Sequence, residues 1–206
     1  MTKRLLLTDQ SLYASFFPMN GKQGHILQTA LELFAAEGLA VPTAKIAREA
    51  GVANGTLFNY FPTKQDLIDA LYLSNKKEVA QLFLAGGAGK AKSLRESSFV
   101  VWNSYVRWAI NNPLKHKVMN LFKTAHVLSP KVLAQADDIF KPLHELVLNG
   151  IKRGQVLNLG LDYWYQIKGA QIGVSIEQAL GRKLKGKALE AHILTGFDIY
   201  WRGVAP

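Results

Sequence analysis

The 206-residue sequence predicts an all-α protein. Three observations carry that expectation: apolar residues recur at helical spacing along nearly the whole chain, strand alternation is almost absent, and glycine and proline stand between the apolar-periodic segments rather than within them. The early segments are short and the later ones long. Periodicity thus gives three helices, a long fourth one and further helices after it.

Residues 1–18 stand apart as an apolar prefix containing Leu5, Leu6, Leu7, Tyr13, Phe16 and Phe17. The prefix is either an added element that packs on the body or a translation start upstream of Met19, and both readings stay open. The first helix is expected from Lys22 to Glu37, with Ile26, Leu27, Ala30, Leu31 and Phe34 on one stripe and Gly38 ending it. Pro42 and Thr43 open a second, two-turn helix that buries Ile46, Ala47 and Ala50 and stops at Gly51. After the bend at Gly51, Val52 and Ala53, a third short helix turns Leu57 and Phe61 inward and leaves Thr56, Asn59 and Tyr60 on other faces. Pro62 closes it, and Thr63 with Asp66 three residues later reads as a capping box for a fourth helix running to about Phe83. Five further helices are expected near 92–110, 114–127, 130–152, 162–180 and 187–202.

With 49% hydrophobic residues the chain can bury an ordinary core. Cysteine is absent, and His25, His116, His126, His144 and His192 include no pair at helical chelating spacing, so neither a metal nor a cofactor is expected. No apolar run reaches bilayer-spanning length, and a signal-peptide core with its cleavage site is missing, so the expected protein is soluble and cytoplasmic with no membrane partner. No glycine-rich phosphate loop or nucleophile signature occurs; an enzyme is not expected, and no catalytic residues are assigned.

The net charge of +10 suits a polyanionic partner. Its placement gives that little weight, because Met19 to Asp66 holds four basic residues (Lys22, Lys45, Arg48, Lys64) against four acidic ones (Glu32, Glu37, Glu49, Asp66). The cluster Arg182, Lys183, Lys185 and Lys187 reads as a solvated loop between helices, with a patch for DNA or an acidic partner as the alternative.

Two short helices joined by a glycine-containing turn, within 42–61, form a helix-turn-helix, whose second helix is narrow enough to enter the DNA major groove. The residues sharpen this. Ala30 and Phe34, then Ile46-Ala47-Arg48-Glu49-Ala50-Gly51-Val52, then Gly55-Thr56-Leu57-Phe58-Asn59-Tyr60-Phe61-Pro62-Thr63-Lys64-Gln65-Asp66-Leu67 resemble the TetR family of bacterial transcriptional regulators. The resemblance ends by about residue 75. It implies a DNA-binding domain at 19–79, a ligand-binding and dimerisation domain at 80–206, and a double-stranded operator, a small-molecule effector and a second copy of the chain as partners.

By the same resemblance, Thr43 and Lys45 are placed for phosphate or base-edge contact, and Lys64, at the start of the fourth helix, for a phosphate contact. Asn54, Gly55, Thr56, Phe58 and Asn59 would face the groove, and Tyr60 would reach the backbone. Asn59 can pair bidentately with adenine, and Thr56 or Phe58 can pack on a thymine methyl. Three departures from the family pattern matter. Ala53 stands where serine is common, so Asn54 either caps the helix or reads a base; Phe58 replaces a frequent tyrosine; Ala44 offers nothing polar.

In the second domain Phe99, Trp102, Tyr105, Phe122, His126 and Tyr163 are candidates to line a pocket for a mostly apolar effector, with core packing as the competing account of each aromatic. The family's dimer implies an interface drawn from Ile167, Ala170, Gln171 and Val174 on one stripe and Ile193, Phe197 and Tyr200 on another, with Gly169, Gly173 and Gly196 allowing close crossing. The expected activity is that of a homodimeric repressor, released from a palindromic operator when the effector shifts the fourth helix. A nonspecific architectural DNA binder is the alternative.

Overall fold

The computed structural model describes residues 21–206, so the expectations for residues 1–18 lie outside the described part. Among the described residues there are nine α-helices, one 3-10 turn and no strand. The all-α expectation is met. The chain divides into two units, the first ending at Leu71 and the second running Tyr72–Pro206, a boundary earlier along the chain than the expected 79.

The first unit holds α1 (Lys22–Glu37), α2 (Thr43–Glu49), α3 (Asn54–Tyr60) and the start of α4 (Lys64–Ala85). Its core is small and dry: Ile26, Ala30, Phe34, Ile46, Leu57, Phe61 and Leu67 have almost no accessible surface. The stripe read from the sequence thus faces inward on every helix. Between α2 and α3 the chain turns at Gly51, whose φ of 64° lies in the left-handed region that glycine adopts without steric cost. There Gly51 donates to the Arg48 carbonyl at 3.0 Å and Val52 to the Ala47 carbonyl at 3.0 Å, a Schellman arrangement that satisfies the end of α2. At the start of α4 the capping box forms. Asp66 accepts from the Thr63 amide at 2.9 Å while the Asp66 amide donates to the Thr63 hydroxyl at 3.1 Å.

The second unit contains the rest of α4, a 3-10 turn (Ala88–Lys90), α5 (Leu94–Asn111), α6 (Pro113–Thr124), α7 (Pro130–Lys152), α8 (Leu161–Gly181) and α9 (Gly186–Val204). Ser93 caps α5 by accepting from the Glu96 amide, and Ser129 caps α7 by accepting from the Val132 amide. Proline behaves differently from the sequence expectation at one place: Pro142 lies inside α7, which continues through it to Lys152. The core between α5, α8 and α9 is aromatic. The Trp102 and Tyr200 rings stack at 5.3 Å, Trp164 meets Tyr200 edge-on at 5.7 Å, and Phe99 meets Phe197 edge-on at 5.0 Å. Gly196 lets α8 and α9 approach, since a Cβ there would lie 2.9 Å from the Ser175 hydroxyl. Gly169 and Gly173 play no such part, because a Cβ at either would meet nothing within 4 Å.

Among the described residues no helix is long and apolar enough to cross a membrane, and no cluster of three metal-ligating side chains occurs. Arg182, Lys183, Lys185 and Lys187 are exposed around the α8–α9 connection.

Candidate functional site

Two places in the structure have the makings of a site, one in each unit. The first is the surface of α3. Of its seven residues only Leu57 is buried. Asn54, Gly55, Phe58, Asn59 and Tyr60 are exposed and Thr56 is half-buried. Phe58 and Tyr60 keep 38% and 42% of their surface open to solvent.

Local chemistry explains the geometry. Ala53 is the N-cap, in extended conformation and with no side chain to offer, and its carbonyl accepts from the Thr56 and Leu57 amides. Asn54 is therefore the first helical residue rather than the cap, so the capping alternative for it is excluded and its amide group is left at the surface. Gly55 has ordinary helical backbone and open space where a Cβ would stand, so nothing inside the head demands glycine. A helical glycine is unfavourable by about 1 kcal/mol relative to alanine, which points to a requirement outside the head, such as close approach of a bulky partner.

The flanking residues are more tied than the sequence suggested. Lys45 is half-buried and its ammonium pairs with Glu37 at 2.6 Å. Lys64 donates to the Leu39 carbonyl at 2.6 Å and lies over the Phe34 ring, so it fastens the α1–α2 loop to α4. Thr43 is half-buried at the start of α2. The expected phosphate role of the two lysines thus competes with a structural one already in place, a long-range contact invisible in the local pattern.

The second place is a cavity of about 730 Å³ wholly within the second unit. Its apolar wall includes Val79, Phe83, Val101, Phe140 and Ile172, and its polar groups include Lys76, Lys123, Lys168, His116, His144 and Tyr105. Tyr105 is the one residue of the six sequence candidates on this lining. Trp102 and Phe122 are core, Phe99 is packed on Phe197, and His126 and Tyr163 are exposed away from it. The three lysines were missed. Each sits at a stripe position of its helix: Lys76 follows Tyr72 by four and precedes Val79 by three, Lys123 follows His116 by seven, and Lys168 follows Trp164 by four. A lysine in an otherwise inward stripe was the available signal.

Electrostatics in this cavity is unusual. Burial lowers Lys76 to about 7, helped by the charges of Lys123 and Lys168 and opposed by Asp137. Burial lowers Lys168 to about 8, with Lys123 adding to it, and burial also lowers Lys123. His144 and His116 are both shifted down, chiefly by burial. Rings stand in for anions. The Lys76 ammonium is 4.9 Å from the Phe140 ring centre, and that of Lys168 is 4.5 Å from the Tyr165 ring centre.

A pH dependence follows. Unfolded lysine binds its proton up to about 10.5, whereas folded Lys76 and Lys168 release theirs near 7 and 8, so between these limits the unfolded chain holds more protons. Stability from these two groups is therefore expected to rise with pH from about 7 to about 10.5, the penalty being full below 7. Thermal melts across that range should show the rise in the wild type and a much weaker one in Lys76→Met/Lys168→Met; a wild type that loses stability over this range would contradict it.

The expected dimer residues divide by helix. On α8, Ala170 and Val174 are exposed, Val174 at 60%, and Ile167 and Gln171 are half-buried. On α9, Ile193, Phe197 and Tyr200 are buried inside the protomer, and the exposed large apolar residues are Leu194 at 48% and Ile199 at 61%. The periodic stripe on α9 was a core stripe. The outward apolar residues, Leu194 and Ile199, lie off that stripe on its two flanks.

Comparison with known proteins adds the following. The sequence profile of the family described as bacterial regulatory proteins, tetR family, matches residues 26–71. The HTH-type transcriptional repressor KstR2 of Mycobacterium tuberculosis is 35% identical over 54 residues, 26% of this chain and 27% of that protein. The chain thus matches little more than a quarter of that relative's length. Two crystal structures are similar over nearly everything. A TetR family transcription regulator from Marinobacter aquaeolei VT8 gives a TM-score of 0.80 at 22% identity, over 89% of this chain and 95% of that one. A candidate tetR family transcription regulator from Shewanella sp. PV-4 gives 0.82 at 29% identity, over 90% and 99%.

Proposed function

By its head and by its fold this chain is a TetR-family protein, and on that premise we propose that it is a sequence-specific transcriptional regulator, a homodimer that leaves a palindromic operator when an effector fills the cavity of the second unit. The observation that carries the DNA-binding part is the surface of α3, where Leu57 is buried in the head, Thr56 is half-buried and the other residues, with amide and aromatic groups among them, are exposed. Asn59 reads a base, Thr56 and Phe58 pack on methyl groups, Gly55 admits the backbone, and Tyr60 positions it. A cytoplasmic location belongs to the same proposal.

Dimerisation is proposed through the outward faces of α8 and α9, with Ala170 and Val174 joined by Leu194 and Ile199, which large apolar exposure favours. The coupling is proposed to run along α4, which contributes Leu67 to the head core and Lys76 and Val79 to the cavity wall. An effector releases DNA only by binding the non-matching arrangement of the two heads more tightly, and a shift from 1:99 to 99:1 needs about 5.5 kcal/mol of such preference.

The test begins with selection of binding sites from random duplex DNA. Asn59→Ala is then expected to weaken operator binding by about 1 to 3 kcal/mol, concentrated at one base-pair position per half-site. Because Asn59 is exposed, the melting temperature should hardly move. An equal loss for every sequence would remove base reading from Asn59, and no selected consensus at all would leave only the nonspecific binder.

A further inference from the structure

We propose that the cavity recognises an organic anion: a carboxylate, sulfonate or phosphate on an apolar or aromatic body, with the charge set among Lys76, Lys123 and Lys168. The inference rests on the reading of this cavity as the effector site and replaces a mostly apolar effector by one with a defined charge.

Three ammonium groups from α4, α6 and α8 converge on one cavity and act on one another unfavourably. Among the described residues none of them has a carboxylate within ion-pair distance. The same unit shows how the fold treats a lysine with a structural task. Lys115 pairs with Glu78 at 2.6 Å, while the other oxygen of Glu78 accepts from the Trp108 indole at 2.9 Å. The cavity lysines lack such partners.

Two carboxylates do lie on the lining, Asp137 and Asp162, but both are exposed, Asp137 with 77% of its side chain in solvent. Their charges are spent largely on water, and Asp137 is 3.7 Å from the His144 ring. Lys76 and Lys168 are half-buried and Lys123 is exposed; like charges gathered on one cavity without counterions are a disfavoured arrangement that an incoming anion relieves, whereas a neutral molecule leaves it as it is and a cation worsens it. Lys76 and Lys168 are also held in place. Tyr72 and Phe140 lie beside Lys76, and Trp164 and Tyr165 beside Lys168, so little side-chain order remains to be imposed on binding. Beyond them Val79, Phe83, Val101 and Ile172 offer an apolar wall for the body of the ligand.

The experiment uses the full chain and a matched pair of fluorescent probes, anilinonaphthalene sulfonate and N-phenylnaphthylamine, which share their rings and differ in the anion. Decanoate, decyl phosphate and decanol serve as competitors. The sulfonate probe is expected to bind and to be displaced by decanoate or decyl phosphate, the stronger of the two separating carboxylate from phosphate effectors, with decanol much weaker. Lys123→Met/Lys168→Met should weaken the sulfonate and decanoate by about tenfold or more per lysine and leave the neutral probe within about twofold. The unliganded variant should melt higher than the wild type, the opposite of what loss of a structural lysine does. Equal loss of both probes, displacement by decanol as effective as by decanoate, or a variant that melts lower and binds the sulfonate normally would each overturn the anion site. Operator affinity is read in parallel: lysine-dependent anion binding that leaves operator affinity unchanged keeps the anion site and overturns the effector reading.

Discussion

Trp102→Ala is expected to destabilise the second unit by about 3 to 5 kcal/mol, among the largest effects of any single truncation in it. Trp102 is 1% exposed, stacked on Tyr200 and edge-on to Phe197, and its ring is 3.4 Å from where a Cβ on Gly196 would stand. Removing the indole opens a void among α5, α8 and α9 that their close crossing leaves little room to collapse. Urea unfolding followed by near-ultraviolet circular dichroism measures it, and a loss below about 1 kcal/mol would show that the aromatic core is not the keystone described here.

Phe34→Ala is the counterpart in the head, with an expected loss of about 3 to 5 kcal/mol from a unit too small to spare it. Phe34 has no accessible surface, and its ring lies under the Lys64 ammonium that holds the Leu39 carbonyl. Operator binding should disappear at ordinary temperature. Binding of the sulfonate probe to the second unit should persist, because its lining begins at Tyr72. Simultaneous loss of both would mean that the two units do not fold separately.

The helices were legible because periodicity and punctuation are local. Thr63 with Asp66 and Gly51 after Ala50 each act within one turn of chain, and the structure uses both where the sequence places them. What failed to show was anything requiring distant partners. Lys64 and Leu39 are 25 residues apart, and Lys76, Lys123 and Lys168 come from three helices. The aromatic residues illustrate the same limit on α9: a stripe of Ile193, Phe197 and Tyr200 is equally good as a core face or an interface face, and only the neighbours decide. Trp102 and Phe122 met the same ambiguity and resolved to core, whereas Tyr105 resolved to cavity.

The single buried residue of α3 has an evolutionary corollary. When Leu57, with Phe61 just after the helix, is what anchors it, substitutions at the exposed Asn54, Phe58, Asn59 and Tyr60 leave the head's fold nearly untouched. If α3 reads DNA as proposed, gene duplicates of such a protein can drift to new operators one residue at a time without passing through unstable intermediates. The cavity, built in a separate unit, is free to diverge on a different schedule.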